Sequence, residues 1–405
     1  MEKSIFERRG SASCAAARCE RMKHAIGILS VLLLVLSVGC AGGGNKGVGA
    51  AGEAAKARTR VGEVPAASAG TAESDFQSAV RSISKGDYQE AIGSLKSATS
   101  LKPDYTDAWA ALGDASMKLK DYQNGIAAYR RALELAPGEN GYLQSIAYGY
   151  LCLNNLDKAE EFYLKLVERD TLSYEGNREL GFIYQKKDDA DYAIKYYLVA
   201  LRAKPADAAT METLAGLYDK KGNERKKFEY LQKAVETEPD NHDYRTQLGL
   251  AYMKKKDYAD AIPLFERLAR DRPDEAVYHQ NLGLALSQTA DRRAEGASEL
   301  ERTLQLKGDD PYICGVLARV YNDLKQYDKA IETAKRGLAV DGSQESMLNY
   351  ELGTALSRLG RYDEAIAAFQ KVAEGKDAAW TDAAKKQVSR QEALKKRGAA
   401  AKRGE

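Results

Sequence analysis

Hydrophobic and polar positions divide this chain into three stretches. Residues 25–38, AIGILSVLLLVLSV, are almost wholly apolar and follow the basic cluster Arg21, Lys23 and His24. From Ala41 to Ala72 there is no aromatic residue and glycine and alanine dominate, which leaves too little apolar surface to bury. Beyond that point a pattern recurs. Pro103, Pro137, Pro205, Pro239 and Pro273 are separated by 34, 68, 34 and 34 residues. Small residues keep the same clock at Gly113, Ala147, Gly181, Ala215, Gly249 and Gly283, and after one-residue slips at Ala318 and Gly353. A second small series runs through Ala91, Ala159, Ala193, Ala261, Ala330 and Ala365.

This spacing predicts two helices per period that meet closely at the two small residues, with large side chains filling what remains. Tyrosines mark three further places: Tyr150, Tyr184, Tyr218, Tyr252 and Tyr321 in the first helix, Tyr88, Tyr122, Tyr258, Tyr327 and Tyr362 opening the second, and Tyr129, Tyr163 and Tyr197 at its middle. Thirteen of the 24 tyrosines are therefore read as scaffold. Proline near the end of each period stops the second helix, and segments such as KGDY (85–88) and LGRY (359–362) supply the turn inside it.

The segment AWAALGDASMKLKDYQNGIAAYRRALELAPG, residues 108–138, resembles a tetratricopeptide repeat, with Trp109, Leu112, Gly113, Tyr122, Tyr129, Ala132 and Pro137 in the family's places. Nine units follow one another from near residues 72, 106, 140, 174, 208, 242, 276, 311 and 346. The departures are Gly125 where the family has Ala, Thr171 in place of proline, Lys227 at a small-residue place, and extra residues around QTADRRAEGASEL. The resemblance implies an all-α, right-handed superhelical solenoid over 72–379, closed by a capping helix and basic tail over 380–405. From Lys385 onward that tail holds eight basic and two acidic residues.

The opening stretch has the order of charge and grease found in a secretory signal, and its 14 apolar residues fall short of the roughly 20 that span a bilayer. Ser37-Val38-Gly39-Cys40 resembles the lipobox of bacterial lipoproteins, with Leu36 lying one place further back than usual. The resemblance implies a signal peptide over 1–39, an acyl chain on Cys40, and a lipid-anchored flexible linker over 40–71; translation is expected to start at Met22. Ala41 is not an acidic retention residue, so the outer membrane is favoured, with the repeats in the periplasm. The competing reading is a signal-anchored or cytosolic adaptor, and a third is an accessory subunit that positions an envelope enzyme.

A formal charge of +2 with interspersed signs gives no footprint for nucleic acid. The five cysteines build neither a disulfide framework nor a zinc spacing, and His24, His242 and His279 belong to no recognisable triad or metal set. Gly42-Gly44-Gly47 and Gly47-Gly49-Gly52 match a dinucleotide fingerprint but follow no strand. No enzyme activity, cofactor, metal or small-molecule substrate is expected.

Function is then expected on the surface that the family lines with its first helices, at the second, fifth, ninth, twelfth and thirteenth places of each unit. The candidate groove residues are Met117, Tyr148, Leu151, Phe182, Leu250, Met253 and Leu284, with protein or peptide segments as partners. The last two units turn polar there, at Arg319, Asn322, Thr354 and Ser357. A carboxylate clamp of the kind some relatives carry is not repeated, because Ala110 and Asp114 occupy its places. The expected role is an assembly scaffold for a type IV pilus, a secretion pore or outer-membrane machinery.

Overall fold

The computed structural model describes residues 70–375 and 377–403; the signal segment, Cys40 and the linker lie outside them. Among the described residues there are 19 α-helices and no strand. They form two compact units that divide between Pro205 and Ala206.

The first unit holds four helical pairs: α1 (Ala72–Lys85) with α2 (Tyr88–Leu101), α3 (Thr106–Lys118) with α4 (Tyr122–Leu135), α5 (Asn140–Cys152) with α6 (Leu156–Arg169), and α7 (Tyr174–Lys186) with α8 (Ala190–Ala203). The second holds five: α9 (Ala208–Lys220) with α10 (Glu224–Thr237), α11 (His242–Lys255) with α12 (Tyr258–Asp271), α13 (Ala276–Ser287) with α14 (Arg293–Lys307), α15 (Pro311–Asp323) with α16 (Tyr327–Leu338), and α17 (Glu345–Arg358) with α18 (Tyr362–Glu374). A terminal helix, α19 (Ala378–Arg403), packs on α18 and turns Ala384, Val388 and Gln391 inward.

The turn inside each pair follows one recipe. A residue with left-handed backbone ends the first helix, as Gly86, Asn154, Asp188, Gly222 and Gly360 do, and lysine takes this position at Lys120, Lys256 and Lys325. The next residue caps the second helix: Asp121, Asn155, Asp189 and Asn223 each accept a backbone N–H three residues on. The seventh pair replaces this turn with a 3-10 segment, Ala290–Arg292, which absorbs its extra residues.

Between pairs, second helices end two residues before Pro103, Pro137, Pro205, Pro239 and Pro273. The freed carbonyl then needs a donor, and four pairs supply it from the fourth place of the following helix. Trp109 Nε1 donates to Pro103 O at 2.9 Å, Asn177 Nδ2 to Thr171 O at 3.1 Å and His279 Nε2 to Pro273 O at 3.0 Å, while a buried Arg245 donates to Pro239 O. His279 is thus a structural residue, its other ring nitrogen 2.6 Å from Glu299.

The crossings are as close as the small residues require. A Cβ added at Gly113, Gly181 or Gly249 would lie 2.7, 2.8 or 2.7 Å from the ring of Tyr129, Tyr197 or Phe265 in the partner helix. Gly125, where the family has alanine, is explained likewise: its Cβ would come within 3.0 Å of Met117, which already fills that space.

Candidate functional site

Four of the candidate groove residues lie in the first unit. Met117 on α3 is half-buried, its side chain seated between Gly125 and Gly149 and against the cluster around Ile126 and Tyr129. Leu151 on α5 joins the same cluster. Tyr148 and Phe182 are half-buried on α5 and α7, and Lys186 Nζ sits 5.4 Å from the centre of the Phe182 ring.

Beneath them the structure gives hydroxyl contacts to tyrosines that the sequence marked only as scaffold. Tyr129, Tyr163 and Tyr197 stand at the middle of the second helices and are fully or almost fully buried. Their hydroxyls reach through the crossing toward the first helices. Tyr129 donates to Asp114, at the ninth place of its unit, and Tyr197 donates to Gln185, at the twelfth, over 3.1 Å. The Tyr163 hydroxyl is buried with no hydrogen-bond partner among the described residues. Burial pushes the Asp114 carboxyl above the usual carboxylate range, against the pull of the Tyr129 hydrogen bond. The signal was present in the spacing of tyrosine and aspartate, but only the helix crossing brings them together.

In the second unit Met253 packs against the cluster around Phe265 and Leu282, and Leu284 against the one that runs from Ala297 to Phe369. Leu250 stands out at 46% exposure on α11. Val277 on α13 and Tyr312 on α15 are equally open, at 49% and 47%, and both hold second places, which the family resemblance also assigns to the groove. Lys227, at a place where a small residue is usual, runs its ammonium to Asp219 at 2.9 Å, and this hydrogen bond holds the Asp219 carboxyl below its ordinary range. At the end of the unit Arg319 Nε donates to Glu351 Oε1 at 3.0 Å, and Asn322 Nδ2 donates to Glu351 O and Oε2, each at 3.0 Å.

Among the described residues no three His, Cys, Asp or Glu side chains come together as a metal site, and no helix is long and apolar enough to cross a membrane. The arrangement offers half-buried and exposed apolar groups and fixed polar ones, which is the chemistry of recognition.

A family model described as tetratricopeptide repeat matches residues 83–140 and 316–384, and a second of the same description matches 228–283. No curated protein sequence matches the chain. Among solved structures, the chain is similar to MamA 41-end from Desulfovibrio magneticus RS-1, with 18% identity, a TM-score of 0.39, and coverage of 42% of this chain and 96% of that one. It is also similar to YrrB, described as a TPR protein with an unusual peptide-binding site, at 19% identity, TM-score 0.39 and coverage of 46% and 92%. The P58(IPK) TPR domain shares 15% identity with a TM-score of 0.27 over 81% of this chain and 99% of its own.

Proposed function

We infer that this chain, which carries tetratricopeptide repeats, is a non-enzymatic scaffold that holds protein or peptide segments on its first helices. The observation that carries this reading is the exposed apolar trio Leu250, Val277 and Tyr312, each about half open to solvent on a helix whose other large residues are spent on packing. An isolated exposed leucine is ordinary, but three on α11, α13 and α15 of one unit, all at lining places, are a surface on offer.

Two finer elements complete the proposal. Acylation at Cys40 tethers the protein to the bacterial envelope, with the outer membrane favoured, and the captured partners are components of an envelope assembly such as a pilus, a secretion pore or outer-membrane machinery. The support is the order of basic, apolar and small residues before Cys40 together with the Gly/Ala-rich composition of the segment after it.

The test is to crosslink intact cells, recover the full chain through a C-terminal tag, and identify its N-terminal peptide and its companions by mass spectrometry. The expected result is a lipidated Cys40 with envelope components. A chain carrying Leu250→Ser and Tyr312→Ser, and another carrying Tyr148→Ser and Phe182→Ser, should keep the thermal midpoint and lose companions. Companions retained in both would overturn the groove reading, and an intact leader with cytosolic companions would overturn the anchored one.

A further inference from the structure

The last two pairs carry a polar cluster built on a buried carboxylate. Glu351 on α17 is 5% exposed, and both of its carboxylate oxygens are occupied, one by Arg319 Nε and the other by the Asn322 amide. Arg319, from the neighbouring helix α15, is held at Nε only. Its guanidinium lies 5.9 Å from the Trp380 ring centre, and that ring rests on Tyr350 at 5.1 Å. The side chain is nevertheless 47% exposed, and among the described residues nothing accepts from its two terminal nitrogens. Asn322 Oδ1 is buried with no donor against it.

An arginine fixed by a buried carboxylate on one edge and an aromatic ring on its face keeps its other edge in one orientation. That edge is a planar pair of donors, which matches a carboxylate bidentately. Asp323, one turn further along α15, is paired with Arg293 at 3.6 Å and so sets no unpaired carboxylate beside Arg319.

We propose that Arg319, oriented by Glu351 and Trp380, is a recognition site for the carboxylate side chains of an acidic partner segment. The inference rests on the groove reading and names the chemistry of what the groove's last two pairs accept. The open edge of Arg319 takes a side-chain carboxylate from any point along a segment, whereas a chain terminus offers its carboxylate at one point only.

The experiment uses the purified full chain and three fluorescein-labelled octapeptides read by anisotropy. The first alternates glutamate with glycine and ends in an amide; the second replaces every glutamate with glutamine; the third is the glutamine peptide with a free C-terminal carboxylate. The glutamate peptide should bind about tenfold tighter than its glutamine counterpart in 50 mM NaCl, with the advantage shrinking in 500 mM. Arg319→Gln should abolish that advantage and Arg319→Lys should restore only part of it, because lysine lacks the fork. Should Arg319→Gln lower the thermal midpoint by stranding Glu351, the double variant Arg319→Gln with Glu351→Gln removes both charges and should still show no preference. Equal binding of the first two peptides, or a preference that survives Arg319→Gln, overturns the proposal; a free-carboxylate peptide as tight as the glutamate one shows a chain-terminal ligand and overturns it too. Loss of companions in the Leu250→Ser and Tyr312→Ser chain reads the groove separately.

Discussion

The two units use one repeat and fill its centre differently. In the first, the twenty-fourth place of three pairs is tyrosine: Tyr129, Tyr163 and Tyr197. In the second, Leu231, Phe265, Leu300, Ala334 and Phe369 occupy that place after the slips are allowed for. The rings pack alike, since Gly181 faces Tyr197 and Gly249 faces Phe265 at nearly the same distance. At Phe265 and Phe369 the difference from tyrosine is one oxygen, and at Leu231, Leu300 and Ala334 the ring is replaced as well. In the first unit that oxygen carries polarity from the second helices to the first, where Asp114 and Gln185 receive it. In the second unit the residues at this place carry no side-chain oxygen, and polar groups stand on the first helices themselves, as Arg319, Asn322 and Glu351 do. A tandem array can thus vary its surface chemistry from beneath without changing its backbone.

The sharpest challenge is to the shared part of the comparison. Gly249→Leu forces a side chain into space the Phe265 ring already fills, and should cost about 3 kcal/mol, measured by denaturant unfolding. A near-neutral result would mean that the crossings are loose and that the choice of residue at the twenty-fourth place matters less than argued.

Next comes the oxygen itself. Tyr129→Phe leaves the Asp114 carboxylate buried without its donor and should cost about 2 kcal/mol at pH 7. The sign of its pH dependence follows from burial. Because the folded Asp114 carboxyl is raised above its unfolded value, its contribution is fully present below the unfolded carboxylate range and is lost as pH rises through the raised folded value. Without Tyr129 that loss is larger, so the penalty of the variant should shrink on acidification through the carboxylate range, where a protonated Asp114 needs no donor. A penalty that stays constant from pH 7 to pH 4 would assign the loss to ring packing.

Adding the oxygen to the second unit is the converse. Phe265→Tyr places a hydroxyl beneath Leu250 and Met253, the ninth and twelfth places of its own pair, where no acceptor side chain stands, and should cost about 1 to 2 kcal/mol. The smallest effect is expected at Tyr163→Phe. Its hydroxyl has no partner among the described residues to lose, so the unfolding free energy should stay within about 0.5 kcal/mol of the parent or rise, as measured by denaturant unfolding. Taken together, the three variants ask whether a hydroxyl at this place is stabilising only where an acceptor waits.

Much of the fold was legible because it rests on local, periodic rules. Proline spacing, small residues at crossings and left-handed turn residues act within one repeat, so of the nine unit starts predicted, first helices begin at Ala72, Thr106, Asn140, Tyr174, Ala208, His242, Ala276 and Pro311 as expected, and the ninth, expected near 346, begins at Glu345. The candidate groove residues were legible only as places. Periodicity assigned Met117 and Leu250 to equivalent surfaces, yet Met117 fills the room left at Gly125 and Gly149, while Leu250 stays exposed. The capping donors Trp109, Asn177, Arg245 and His279 share one place but four chemistries, so no residue pattern announces them; the common carbonyl does.

By itself, then, the sequence determined the repeat, its helices and the scaffold role of most tyrosines, because each depends on contacts between neighbours at fixed intervals. Tertiary structure alone decided which polar groups meet across a crossing and which side chains remain free. Tyr129 with Asp114, Lys227 with Asp219 and Arg319 with Glu351 lie 15, 8 and 32 residues apart, and only the closeness of packed helices turns those separations into contacts.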